Sequence, residues 1–231
     1  CSIDALSREA VVFSFSFENK KSSVKPFEVI SYDIFSTTNK ESCWTMGDFN
    51  NDGITELVTA SSENGEVLLL ESNRDGFSGL VDSSPSLRGI TQLSSIKQGG
   101  QTKLLVLSTE EEVLGVSDYG EGSGFSFPSM IKVDGVPMAA APSIKDKETD
   151  DKILVLCEED SEYVLKTFES SGNDSGYEVK NQFKVEELRR EPSSLFTCDL
   201  NGDNFEDVLI LSGRDAPVIL LADNKGGWKS F

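Results

Sequence analysis

Histidine is absent from the 231 residues. That removes Ser/His/Asp and Cys/His nucleophile systems and the imidazole ligands on which zinc and copper sites usually rely. Enzymes that use only carboxylates, lysine or tyrosine stay open. Basic residues are scarce: 21 Lys and Arg stand against 40 Asp and Glu, a formal charge of −19. Such a surface repels nucleic acid and anionic membranes, so neither is an expected partner. No apolar run approaches the ~18 residues that a transmembrane helix needs. The four cysteines (Cys1, Cys43, Cys157, Cys198) form no CxxC pair and read as buried thiols, not as a disulfide framework or zinc site. Cys1-Ser2 is also what a processed bacterial lipoprotein would show, so a lipid anchor at Cys1 stands beside an ordinary chain start. Helical patterning is confined to one short stretch, Val185 to Arg190.

What is present is a repeat. Apolar runs behind a polar pair begin at Leu57, Leu104, Ile153 and Val208, at intervals of 47, 49 and 55 residues. Each is too short for a core helix and rich in leucine and β-branched residues. A second strand follows each run (Gly65–Leu70, Glu112–Val116, Tyr163–Phe168, Val218–Leu221), then turn chemistry, then an aromatic (Phe77, Phe125, Tyr177, Trp228) opening an outermost strand. Inner strands are expected at Ser42–Gly47, Ile90–Ile96, Met138–Ile144 and Ser194–Leu200. The spacing predicts an all-β chain, a β-propeller of four-stranded antiparallel blades. Its repeats fall at about 41–87, 88–135, 136–191 and 192–231, after a half blade over about 1–40. In that half blade Val11–Phe17 alternates as a half-buried strand and Lys25–Phe35 follows as an outer one. Four blades plus two strands leave a ring unclosed, so residues 1–231 read as a single partial propeller domain, with another chain able to complete it.

Two corners of this repeat carry oxygen at alternate positions. The first is Asp48-Phe49-Asn50-Asn51-Asp52-Gly53-Ile54-Thr55-Glu56; the second is Asp199-Leu200-Asn201-Gly202-Asp203-Asn204-Phe205-Glu206-Asp207. Side-chain oxygens at positions 1, 3, 5 and 9 and a carbonyl at 7 suit a hard cation such as Ca²⁺ better than Mg²⁺. An EF-hand is excluded, because position 12 is Thr59 or Ile210 and strands flank both loops. A metal-free polar turn is the plain alternative. In the middle repeats Ser95, Lys97, Gly99 and Lys103 take the ligand positions, and Lys152 replaces the closing acid. An ammonium there supplies charge where a cation would otherwise sit, and it can bond the same turn oxygens.

Gly47 to Gly53, Glu56-Leu57-Val58 and Asn73-Arg74-Asp75-Gly76-Phe77 together resemble the FG-GAP/VCBS repeat, the blade type of integrin α-subunit heads and many microbial surface proteins. Asp199 to Leu211 with Asn224 to Trp228 is similar, Asn204 replacing the loop glycine. The resemblance implies two Ca²⁺ ions. Asp48, Asn50, Asp52, Glu56 and the carbonyl of Ile54 would hold one, and Asp199, Asn201, Asp203, Asp207 and the carbonyl of Phe205 the other.

Such a chain reads as a calcium-stabilised, extracellular or cell-surface module without enzymatic activity, docking a protein partner on a propeller rim. A carbohydrate-binding or glycan-active propeller (lyase or hydrolase) is the alternative. Acid pairs are plentiful, as in Glu110 to Glu112 and Glu158 to Asp160, and Trp44 and Trp228 are candidate stacking platforms. Gly99-Gly100, Gly226-Gly227 and Gly213-Arg214-Asp215 read as turns, and Asn173-Asp174-Ser175 matches a glycosylation triplet.

Overall fold

The computed structural model describes residues 2–4, 9–11, 13–18, 21–26, 43–61, 64–73, 76–143, 150–171, 176–213, 215–223 and 227–231. Every regular element among them is a β-strand. β1 (Ser2–Asp4) pairs with β2 (Glu9–Val11), and β3 (Phe13–Glu18) with β4 (Lys21–Pro26). Four antiparallel sheets of four strands follow. The first is β5 (Trp44–Gly47), β6 (Glu56–Ser61), β7 (Glu66–Asn73) and β8 (Gly76–Pro85). The second is β9 (Ile90–Gln98), β10 (Gln101–Ser108), β11 (Val113–Ser117) and, past an inserted hairpin of β12 (Tyr119–Gly120) and β13 (Gly124–Phe125), β14 (Ser129–Ile131). The third is β15 (Val136–Ser143), β16 (Lys152–Glu159), β17 (Glu162–Ser170) and β18 (Tyr177–Lys184). The fourth is β19 (Ser194–Cys198), β20 (Asp207–Leu211), β21 (Val218–Ala222) and β22 (Trp228–Ser230).

The unbroken apolar runs follow from burial on both faces. In β10, Leu104 and Val106 pack toward the first sheet while Leu105 and Leu107 pack toward the third. In β16, Ile153, Val155 and Cys157 face the second sheet, and Leu154 and Leu156 face the fourth. Period-2 alternation therefore sorts one continuous run into two cores. Three such cores join the four sheets in chain order. The first strand of each sheet adjoins the first strand of the next, which gathers β5, β9, β15 and β19 at the inner end. Side chains tie them: the Ser95 N–H donates to Thr45 Oγ1 at 3.2 Å, the Ala140 N–H to Gln92 Oε1 at 3.1 Å, and Thr197 Oγ1 donates to the Pro142 carbonyl at 2.7 Å. The result is a radial stack of blades. Its last member keeps one face thinly covered: Leu209, Leu211, Ile219 and Leu221 are half-buried and Phe196 is exposed.

Several expectations need correction. Val185 to Arg190 is a turn, not a helix; the Val185 N–H donates to the Tyr163 carbonyl at 2.8 Å, and Val185 and Leu188 are two anchors sunk between the third and fourth sheets. Phe125 does not open an outer strand, because it lies in the inserted hairpin and β14 takes the edge. Cys198 is exposed, and Cys43 is half-buried with its thiol pushed up to about 12 by burial. Cys157 is fully buried and likewise pushed up to about 12 by burial. β4 begins at Lys21, ahead of the expected Lys25; the remainder of that stretch lies outside the described residues, as do Cys1, Asn173 to Ser175 and Gly226. No helix among the described residues is long and apolar enough to cross a membrane.

Candidate metal centre

Both oxygen-rich corners join the first strand of a sheet to the second, and they fold alike. In the first, the Asp52 N–H donates to Asp48 Oδ1 (3.1 Å) and Asn50 Oδ1 (2.9 Å), the Gly53 N–H to Asp48 Oδ2 (3.0 Å), and the Ile54 N–H to Asp52 Oδ1 (2.7 Å). In the second, Asp203 donates to Asp199 and Asn201, Asn204 to Asp199, and Phe205 to Asp203, at 2.8–3.2 Å. Left-handed backbone is needed at loop positions 4 and 6. Asn51 (φ 59°) and Gly53 (φ 85°) supply it in one corner, Gly202 (φ 79°) and Asn204 (φ 66°) in the other. Asn and Gly simply exchange places, as befits the two residues that adopt this conformation most readily.

The corners differ at the closing acid. Glu56 Oε2 accepts from the Phe49 N–H at 2.8 Å, and Asp207 Oδ2 accepts from the Leu200 N–H at 2.9 Å, an equivalent bond. Asp207 Oδ1 then takes the Ala222 N–H at 2.9 Å, so both its oxygens are committed to backbone. Glu56 is only 1% exposed, and its Oε1 is buried with no hydrogen-bond partner among the described residues. An ionised carboxylate oxygen left this way is costly unless a cation meets it. Ligand oxygens of Asp48, Asp52 and Glu56 lie within 4.8 Å of one another, and this is the one such acid trio found among the described residues. The second corner brings Asp199, Asn201 and Asp203 into the same turn but does not add Asp207 to a trio. Its Asp199 carboxyl is held below the ordinary carboxylate value by the Asn204 N–H first, against some desolvation, with help from the Gly202 and Asp203 N–H groups.

Burial pushes the Glu56 carboxyl above its ordinary value; the Phe49 N–H and, less strongly, the Asn50 N–H oppose this, and the Asp52 and Asp48 charges add to it. One step beyond the Leu57–Leu70 pair, the register sets Glu56 beside Glu71. Glu71, Asp82, Glu56 and Glu121 all help to raise the Tyr119 hydroxyl, behind burial. The corner thus sits in a concentrated negative field. In the middle sheets the same cross-strand step pairs opposite signs: Lys103 meets Asp118 at 2.8 Å, and Lys152 meets Glu169. These ammoniums satisfy a neighbouring strand and keep the sign of the charge expected there, while residues 144–149 of the turn before Lys152 lie outside the described residues. The second sheet has no long corner at all, since Gly99 and Gly100 join β9 to β10 as a tight turn.

The inserted hairpin was invisible in the spacing of the repeats. Phe49, at position 2 of the first corner, meets the Phe125 ring edge-on at 5.2 Å, and both are buried. The Phe125 N–H donates to Ser84 Oγ at 2.9 Å. The second blade therefore reaches back over the corner of the first.

Comparison with solved structures shows the fold to be a β-propeller. A protein of Lactobacillus plantarum aligns over 96% of this chain with a TM-score of 0.58 at 8% identity. A candidate 6-phosphogluconolactonase of Bacteroides fragilis aligns over 95% with a TM-score of 0.56 at 12% identity. The chain spans 64% and 62% of their lengths. No protein-family description and no curated protein matches the sequence.

Proposed function

We propose that this chain is the calcium-clipped part of an extracellular propeller of FG-GAP/VCBS-like blades that serves as a protein-interaction module. The observation that carries the reading is the unpartnered Glu56 Oε1 beside the Asp48 and Asp52 carboxylates. Asp48, Asn50, Asp52, Glu56 and the Ile54 carbonyl would hold Ca²⁺ at the first corner; the ion neutralises the acid cluster and pins the connection between β5 and β6. The second corner offers Asp199, Asn201, Asp203 and the Phe205 carbonyl with a closing acid already committed, so it is the weaker site. Loops of this kind fill where calcium is millimolar, which favours an extracytoplasmic setting. The lactonase name of the Bacteroides protein does not carry over, because at 12% identity the two share a backbone and nothing more specific.

A ligand that binds the folded state alone stabilises it by mass action. Melting followed by circular dichroism is expected to shift upward in millimolar Ca²⁺ and back in EGTA, with isothermal titration reporting one dominant site. Equal melting in both conditions overturns the clip.

The pH dependence has a definite sign. A carboxyl whose folded pKa is raised favours the folded state below its unfolded value, and that contribution is lost as pH rises through the folded pKa. Metal-free protein therefore loses the Glu56 contribution as pH climbs above the ordinary carboxylate range, while calcium affinity gains over the same interval. Glu56→Gln should melt higher than the wild type in EGTA at pH 7 and respond less to Ca²⁺. A variant that melts lower in EGTA and keeps the full calcium response contradicts this assignment.

A further inference from the structure

A cleft of about 580 Å³ opens between the third and fourth sheets, walled on one side by the second oxygen-rich corner. From its residues we infer that it is a binding site for a neutral sugar ring. Trp228 lines it from the edge strand β22, half-buried, with its inner part packed on the core between these sheets. An indole fixed on one side and open on the other offers a flat apolar surface. Thr167 on β17 and Asn181 on β18 line the facing wall with a hydroxyl and an amide, the Asn181 Oδ1 accepting from the Gln182 N–H at 2.8 Å. Glu206 adds a carboxylate that Ser143 Oγ holds in place by donating to its Oε2. Fixed acceptors and donors around one aromatic plane match a pyranose, whose C–H face is apolar and whose rim hydroxyls both donate and accept.

The charges argue the same way. Lys152 and Glu169, both lining the cleft, neutralise each other across the strands. Lys180, also in the lining, is balanced by Glu178 at 2.9 Å. What remains is the carboxylates of Glu206 and of Asp223, the latter accepting from the Gly227 N–H at 2.7 Å. There is thus no positive excess with which to select phosphate or carboxylate, and the chain as a whole carries −19. The cleft volume lies in the range of sites that enclose a small ligand. The inference does not depend on calcium at the first corner, which lies on a different sheet.

The chain has two tryptophans, so Trp44→Phe leaves Trp228 as the sole indole reporter. This variant is titrated at millimolar concentrations with the methyl glycosides of glucose, galactose, mannose, fucose and N-acetylglucosamine. At least one should change Trp228 emission saturably, and the same glycoside should bind Asn181→Ala about tenfold more weakly by calorimetry, a loss of about 1.4 kcal/mol. Asn181 sits in a part-exposed position on β18, so this variant keeps the fold where Trp228→Ala risks losing core packing. A panel that leaves the emission unchanged, or an Asn181→Ala variant that binds as the wild type does, overturns the sugar site. Because the Glu56→Gln response to calcium reads the first corner and this titration, run in EGTA, reads the cleft, either can fail without the other.

Discussion

Asp207→Ala should lower the unfolding free energy by roughly 2–5 kcal/mol, and should do so equally in calcium and in EGTA. Asp207 is 0% exposed and accepts from the Leu200 and Ala222 N–H groups. Alanine removes the acceptor from both of these part-buried bonds, at about 1–3 kcal/mol each. Asp207→Asn retains one acceptor oxygen and should lose roughly half as much. Urea denaturation measures the effect as a shift of midpoint at constant slope. The same experiment separates two roles for the second corner. A closing acid whose work is structural costs the same with and without calcium, whereas a principal metal ligand costs more when calcium is present. A calcium-dependent loss would restore the second corner to equal rank with the first.

Phe168→Ala is expected to cost about 3–5 kcal/mol, the range for a fully buried aromatic. The side chain is 0% exposed in the core between the second and third sheets, where Ile153, Val155 and Cys157 surround it, and a bulge between Thr167 and Phe168 adjusts the pairing of β17 with β18 at this point. For a chain of this length the loss corresponds to a fall in melting temperature of roughly 6–20 °C. Phe127→Ala serves as the control: Phe127 is 56% exposed, and its loss should stay within about 0.5 kcal/mol. If the two variants melt together, the core between those sheets is not packed as described.

The apolar runs were legible because burial on two faces leaves no polar interruption, so Leu104 to Leu107 and Ile153 to Leu156 stand out from any loop. The corners were legible because alternate oxygens followed by a strand are a local pattern, and their shared turn geometry follows from that pattern. What lies beyond reach of spacing is tertiary. Val185 and Leu188 repeat at a helical interval only because two anchors of a turn happen to be three residues apart. The commitment of Asp207 Oδ1 depends on Ala222, which only the folded sheet brings to it. Glu56 and Asp207 look interchangeable on paper, yet one finishes with an orphaned oxygen and the other with none. Likewise Lys103 and Lys152 could be seen to replace an acid, but their partners across the strands could not.

Phe49 belongs to the acidic turn of one blade, and its ring is capped by Phe125 from the next. Occupancy at that turn is therefore not a private matter between an ion and the chain immediately around it. A Ca²⁺ ion held at the proposed site would steady Phe49 and with it the tip near Ser123, and by thermodynamic reciprocity trimming that tip would weaken the ion's hold. On that proposal the coupling would pass sideways, from one blade to the next, and a protease acting on the neighbouring tip would serve as a gauge of calcium at the turn.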